Sequence, residues 1–240
     1  MNLSRLPVRQ VRRHLSAELD RSAWPGTLAP VRQLWDEGVE MGSATVLVGE
    51  NGSGKSTIVE AIASAYGLSV EGGSTGAEHS TRRSESSLDD QLHLIRNPGA
   101  SRRGYFLRAE TMHGFFTYLE MNPGTSRIDL PFHEMSHGES FLDLVRDRFR
   151  GPGLWVMDEP ESALSFTGCL QLLSVLLDRL ANGESQVLLA THSPLLASLP
   201  GARVLEVGPW GLRSVVWEDL ELVHHWRRFL EDPGRYHRHL

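Results

Sequence analysis

The stretch VLVGENGSGKST, Val46–Thr57, decides the reading of this chain, and it holds Lys55, the only lysine in 240 residues. Of the 24 basic side chains other than histidine, the remaining 23 are arginine. The stretch grows out of ATVLVG (Ala44–Gly49), a short apolar, β-branched run ending in glycine, which reads as a buried strand. It runs into STIVEAIASAYGL (Ser56–Leu68), where Ile58, Ile62 and Ala65 recur at helical spacing and Gly67 supplies a stop. The linking loop is rich in glycine. Glycines let consecutive backbone N–H groups curl around an anion, and the start of the following helix adds positive potential.

Gly49 to Ser56 satisfies G-x-x-x-x-G-K-[ST] between a strand and a helix, the context that identifies a phosphate-binding P-loop. Asn51, Gly52, Ser53, Gly54, Lys55, Ser56 and Thr57 are the candidate phosphate-binding residues. Lysine is a compact point charge that reaches the β- and γ-phosphates, where the broad planar fork of arginine would not fit. The Ser56 hydroxyl is placed to ligate Mg²⁺. Two further strand ends complete the chemistry. GLWVMDE (Gly153–Glu159) ends on Asp158, placed to hold Mg²⁺, and on Glu159, the natural general base for an attacking water. VLLATHSPLL sets His192 directly after another apolar strand, where it can contact a γ-phosphate. Seen alone, paired acids or a histidine at a strand end would be ordinary surface residues; their company with Lys55 makes them candidates.

PFHEMSHGES admits two readings. His133-Glu134-Met135-Ser136-His137 matches H-E-x-x-H, which binds zinc only inside a helix, with both histidines on one face. Gly138 directly after the motif is a poor continuation for such a helix, and the zinc protease remains a remote alternative. The rival reading starts the helix later. Phe141, Leu142, Val145 and Phe149 recur at helical spacing. The Ser136 hydroxyl and the Gly138 backbone then stand at a helix start, a second anion site in the same chain.

The bulk composition bounds the rest. A length of 240 residues with 40% hydrophobic and 22% charged content describes an ordinary globular chain. One cysteine, Cys169, cannot form an internal disulfide, which suits a reducing cytoplasm. The first residues, MNLSRLPVRQVRRHL, lack the apolar centre of a secretory signal, and no apolar run reaches the ~18 residues a membrane span needs. We therefore expect a cytoplasmic protein without membrane insertion. The net charge of −6 argues mildly against general nucleic-acid binding. Arg9, Arg12 and Arg13 fall on roughly one helical face and read as a solvated helix surface.

Strands alternating with helices imply an α/β fold whose sheet has a parallel core. Later strands are expected in GYFLRAE (Gly104–Glu110), SQVLLA (Ser185–Ala190), RVLEVG and LRSVVWE. TGCLQLLSVLLDRLANG (Thr167–Gly183) reads as an amphipathic helix, and DLELVHHWRRFLED as a closing one. Residues 71–103 are expected to form a mobile insertion whose Gly-, Ser- and Arg-rich ends flank a short helical LDDQLHLI.

GENGSGKST, MSHGES, VMDEPESAL and ATHSP, in this order, resemble the P-loop, signature, Walker B with D-loop, and switch-histidine motifs of ABC-type ATPases. More narrowly, YFLRAE, HEMSHGESF, DEPESALS and THSPLLASLPGA resemble small stand-alone bacterial ATPases of that class, over most of the chain from about Trp24. The resemblance implies a P-loop NTPase of the ABC-ATPase type: a mixed sheet flanked by helices, as one domain over 1–240, with a signature-bearing helical lobe at about 104–150. It implies ATP and Mg²⁺ as ligands and hydrolysis of ATP to ADP and phosphate. It places the signature on Met135–Glu139, so Ser136, Gly138 and Glu139 join the nucleotide-binding set. Ser162-Ala163-Leu164 fall on the D-loop. It further implies a homodimer on ATP binding, two nucleotides being sandwiched head to tail.

Several positions depart from the family pattern. His137 replaces a signature glycine, Glu139 replaces a glutamine, and the D-loop lacks its customary acid. No clear Q-loop glutamine follows GYFLRAE; Glu110 and Gln91 are the nearest candidates. Trp24 and Trp35 are the upstream aromatics available for adenine stacking. The segment from Thr57 to Ser136 carries no heptads, which excludes a long coiled-coil arm. A protein- or DNA-related process with an unknown partner is the leading expectation for what the ATPase serves. An interaction switch with little turnover and a transporter motor are the alternatives.

Overall fold

The computed structural model describes residues 5–69, 73–74, 88–108 and 137–238. Among these the strands are β1 (Gln10–Arg13), β2 (Val39–Glu40), β3 (Ala44–Val48), β4 (Gly73–Ser74), β5 (Leu92–Ile95), β6 (Gly104–Arg108), β7 (Leu154–Asp158), β8 (Gln186–Thr191), β9 (Arg203–Gly208) and β10 (Gly211–Val215). The helices are α1 (Ala29–Glu37), α2 (Lys55–Tyr66), α3 (Leu88–Gln91), α4 (His137–Arg148), α5 (Phe166–Leu180), α6 (Pro194–Ala197), α7 (Glu221–Glu231) and α8 (Gly234–His237).

The apolar runs build one mixed sheet in the order β10-β9-β3-β8-β7-β6-β4. The five central strands are parallel, and β10 and β4 close the edges antiparallel. Strands buried on both faces need apolar side chains at nearly every position, and β3, β7 and β8 are buried throughout. Their period of two divides the interior. Val46, Val48, Trp155, Met157, Val187 and Leu189 face a core filled by Phe141, Leu144 and Val145 of α4 and Leu172 and Leu176 of α5. Leu47, Leu154, Val156, Leu188 and Ala190 face a second core with Ile58, Val59 and Ile62 of α2 and Leu34 of α1. Phe149 stacks on Trp155 at 5.0 Å between ring centroids, joining the end of α4 to the sheet.

Two expectations are corrected. Arg12 and Arg13 lie on strand β1, not on a helix, with Arg9 just before it. β1 pairs antiparallel with β2 and β5 in a separate three-stranded sheet, and Val11 is fully buried beneath it. LDDQLHLI is not one helix; it divides into α3 and β5, with Leu94 opposite Val11. Short segments follow available hydrogen-bond partners over local propensity, and β1 offers an open edge. The small sheet is tied to the large one by Gln186, whose side chain is fully buried. Its amide donates to the Val8 and Gly42 carbonyls at 2.7 and 2.8 Å, and its oxygen accepts from the Val8 N–H at 2.8 Å. Much of the insertion and of the signature lobe lies outside the described residues.

Candidate functional site

The site forms where β3, β8 and β7 end, as ligand sites do in open α/β sheets. Register sets Val48 beside Thr191 and Asp158 beside Ala190, so Gly49, Glu159 and His192 leave the sheet at one rim. Gly49 passes so close to β9 that a Cβ there would come within 2.3 Å of the Val207 carbonyl oxygen. Gly54 takes the left-handed conformation at φ 99° and caps α2. Lys55 is therefore the first residue of α2, beside the unpaired N–H groups of its first turn.

The Lys55 side chain is only 2% exposed. Its ammonium donates to the Glu50 carbonyl at 2.9 Å and stands 3.8 Å from Glu159 Oε1. Burial lowers its pKa, opposed chiefly by the charges of Glu159 and Asp158. The Ser56 hydroxyl donates to Asp158 Oδ1 at 3.1 Å, which spans the P-loop and Walker B strands. Burial pushes the Asp158 carboxyl up to about 6; Arg108 pulls the other way and Glu159 adds to the rise. Arg108, opposite Asp158 on β6, places its Nε 3.7 Å from Asp158 Oδ2.

Glu159 is the one non-glycine residue with positive φ among the described residues, at φ 50° and ψ 49°. Such a conformation costs on the order of 1–3 kcal/mol and persists only where neighbours over-determine it. Here its N–H donates to the Ala190 carbonyl at 2.9 Å, and its own carbonyl accepts from the Ser162 N–H and hydroxyl. The turn swings the carboxylate out of the strand, between Lys55 and the His192 Nε2 at 3.1 Å. Glu161 holds the histidine from the other side. Its Oε1 accepts from the Thr191 hydroxyl at 2.7 Å and from the His192 N–H at 2.6 Å.

The structure thus brings Lys55, Ser56, Asp158, Glu159 and His192 together, with Asn51, Gly52 and Ser53 at the mouth. Ser53 Oγ is buried without a hydrogen-bond partner, and a phosphate oxygen would satisfy it. The oxygen set of Ser56 and Asp158 fits a hard divalent cation such as Mg²⁺. Gly138 and Glu139 open α4 in the same chain, where a Gly138 Cβ would lie 3.4 Å from the Ala163 carbonyl oxygen. Ser136, His133, Glu134 and Glu110 lie outside the described residues. Among the described residues, no group of three or more His, Cys, Asp or Glu could hold a metal ion. Gln91 ends α3, which packs on α2, and its carbonyl accepts from the His14 N–H at 2.6 Å. Arg108, Glu161 and Thr191 were not singled out from sequence. The charge ending the apolar run GYFLR was the one available signal for Arg108.

A seven-stranded mixed sheet with a P-loop, a Walker B acid pair and a following histidine on neighbouring strand ends defines an ABC-type P-loop ATPase. The model of the ABC transporter family (ABC_tran) matches residues 35–162, more than half of the chain, and the chain belongs to that family. It is similar to the cytochrome c biogenesis ATP-binding export protein CcmA of Pseudomonas syringae pv. syringae (strain B728a), at 35% identity over 83 residues, 34% of this chain and 38% of that protein. With CcmA of Pseudomonas syringae pv. tomato (strain ATCC BAA-871 / DC3000) it shares 32% identity over 110 residues, 45% of this chain and 46% of that protein. The matches span less than half the length of these relatives. Solved structures with some likeness include the SMC head domain from Thermotoga maritima, with a TM-score of 0.43, 14% identity and coverage of 75% of this chain and 93% of that one. An inward-facing ABC transporter of metal-chelate type gives a TM-score of 0.43, 13% identity and coverage of 94% and 89%. Among the described residues, no helix is long and apolar enough to cross a membrane.

Proposed function

We propose that this ATPase works as a head-to-tail dimer, with each ATP held between the P-loop of one copy and the Ser136–Glu139 region of the other. The observation that carries the catalytic half is the contact set of Lys55, Ser56, Asp158, Glu159 and His192. In this reading the P-loop N–H groups, Lys55 and Thr57 bind the phosphates. Ser56 and Asp158 would hold Mg²⁺, which when bound would supply positive charge to the phosphates. Glu159 takes the proton of the attacking water, and His192 holds that carboxylate and contacts the γ-phosphate. Lys55, paired with Glu159 here, would turn to the phosphates and release the base.

Glu159→Gln removes the base and leaves the shape. Turnover should fall by about 10²-fold or more, and the variant should accumulate as an ATP-dependent dimer in sedimentation velocity. Normal hydrolysis by that variant would assign the base elsewhere. What turnover drives is a second question. The names of the CcmA relatives favour service to an export system, whereas an armless head can equally serve a protein- or DNA-linked process. Pull-down with the trapped Glu159→Gln dimer separates these, since a membrane subunit, a soluble protein or salt-sensitive nucleic acid would be recovered.

A further inference from the structure

Neither upstream tryptophan is placed to receive a nucleobase. Trp35 is 4% exposed inside the core beneath α2. Trp24 is half-exposed, but it does not line the cavity that opens over the P-loop. That cavity, of about 1040 Å³, has the P-loop backbone from Gly49 to Ser53 and the start of α1 on one wall. Its other wall is the carboxyl-terminal helix pair, through Trp226 and Phe229 of α7 and Tyr236 of α8.

We propose that the nucleobase of the bound nucleoside triphosphate seats against this carboxyl-terminal aromatic wall, with Trp226 and Phe229 as its stacking residues. The proposal rests on the P-loop reading above and adds the residues that grip the base. α7 is anchored by Val223, which is 2% exposed, and by Leu222 packed against the core. The same helix leaves Trp226 46% exposed beside Phe229, their rings edge to face at 6.4 Å. Phe229 meets Tyr236 at 5.7 Å, and the Tyr236 hydroxyl donates to the His225 carbonyl at 3.2 Å, so the wall is a braced cluster. Exposed rings of this size are costly unless covered, and a base offers a flat π-face to cover them.

Charge orients the occupant. The P-loop end presents the backbone of Gly49–Ser53, whose N–H groups draw anions. The lining between the two walls includes the carboxylates of Glu206, opposite Val48 on β9, and Glu221 at the start of α7, and Arg213 pairs with Glu206 and stands 3.6 Å from Glu221. The triphosphate therefore lies at the P-loop, and the neutral base reaches toward α7. The cavity is at the upper end of the range for ligand sites and admits a whole nucleotide.

The test compares ATP with inorganic tripolyphosphate on the full chain by calorimetry. Trp226→Ala should weaken ATP by about ten- to a hundredfold and leave tripolyphosphate affinity unchanged, while Trp226→Phe should restore most of the loss. Lys55→Ala should weaken both ligands, and if it weakens neither, the P-loop reading fails independently of the base site. Unchanged ATP affinity in Trp226→Ala overturns the proposal. So does an equal loss for both ligands, which would make α7 a structural support. A defect confined to dimer formation also overturns it, assigning the aromatic wall to a second copy.

Discussion

Asp158 carries a charge conflict at the site, because burial pushes its carboxyl up to about 6 from an ordinary 3.8. A carboxyl whose pKa is raised by folding takes up a proton on folding between those values. Its contribution is favourable below the unfolded value and is lost as pH rises through the folded one. Asp158→Asn still accepts from Ser56 and removes the buried charge. Without nucleotide it should gain stability on the order of 2 kcal/mol at neutral pH, and the gain should vanish near pH 4. Thermal melts of both chains across that range check the sign, and the variant should lose Mg²⁺-dependent turnover. Glu161 would act as a positioning residue in the same neighbourhood, since it accepts from the His192 N–H and from the hydroxyl of the preceding Thr191. Glu161→Ala should lower kcat about tenfold with KM nearly constant. Glu161→Gln, which keeps an acceptor, should recover most of kcat; parallel steady-state kinetics on the two variants decide it.

At the scale of elements, Gln186 is the joint between the two sheets. Strand β8 would tolerate an apolar residue at its first position by its own pattern, since all six of its residues are buried. The glutamine is explained by three backbone groups that arrive from Val8 and Gly42 and have no strand to pair with. Gln186→Ala leaves them buried and unpaired, at about 1–3 kcal/mol each before relaxation or water repairs some of the loss. The expected net destabilisation is about 3 kcal/mol, read as a lower denaturant midpoint. The segment around β1 should lose hydrogen-exchange protection before the seven-stranded sheet does. Uniform loss of protection would show that the two sheets open as one unit.

At the scale of the whole molecule, the proposed composite site makes a prediction that a self-contained one does not. Lys55→Ala damages one half of each site and Ser136→Arg the other half, so either variant alone should be inactive. A mixed dimer carries one doubly damaged site and one intact site. Mixing the two inactive proteins should therefore restore ATP turnover to a substantial fraction of the wild-type rate. A mixture as dead as its parts would place both halves within one chain.

Local chemistry made the P-loop legible, because Gly54, Lys55 and Ser56 must be adjacent to wrap an anion at a helix start. The same holds for Asp158-Glu159 and His192, each tied to an apolar strand that announces itself by composition. The order of these motifs carried the class of the molecule. What depends on pairing across long separations was not legible. The division of LDDQLHLI into α3 and β5 required the edge of β1, and the joint at Gln186 required a backbone 178 residues away. Arg108 and Glu161 gained their places only when β6, β7 and β8 set them beside Asp158 and His192. By itself, then, the sequence determined a phosphate-binding ATPase, because that chemistry is written in contiguous residues. Only the tertiary structure decided which side chains brace it and which aromatic wall stands over it, because those contacts form between elements that no local signal links.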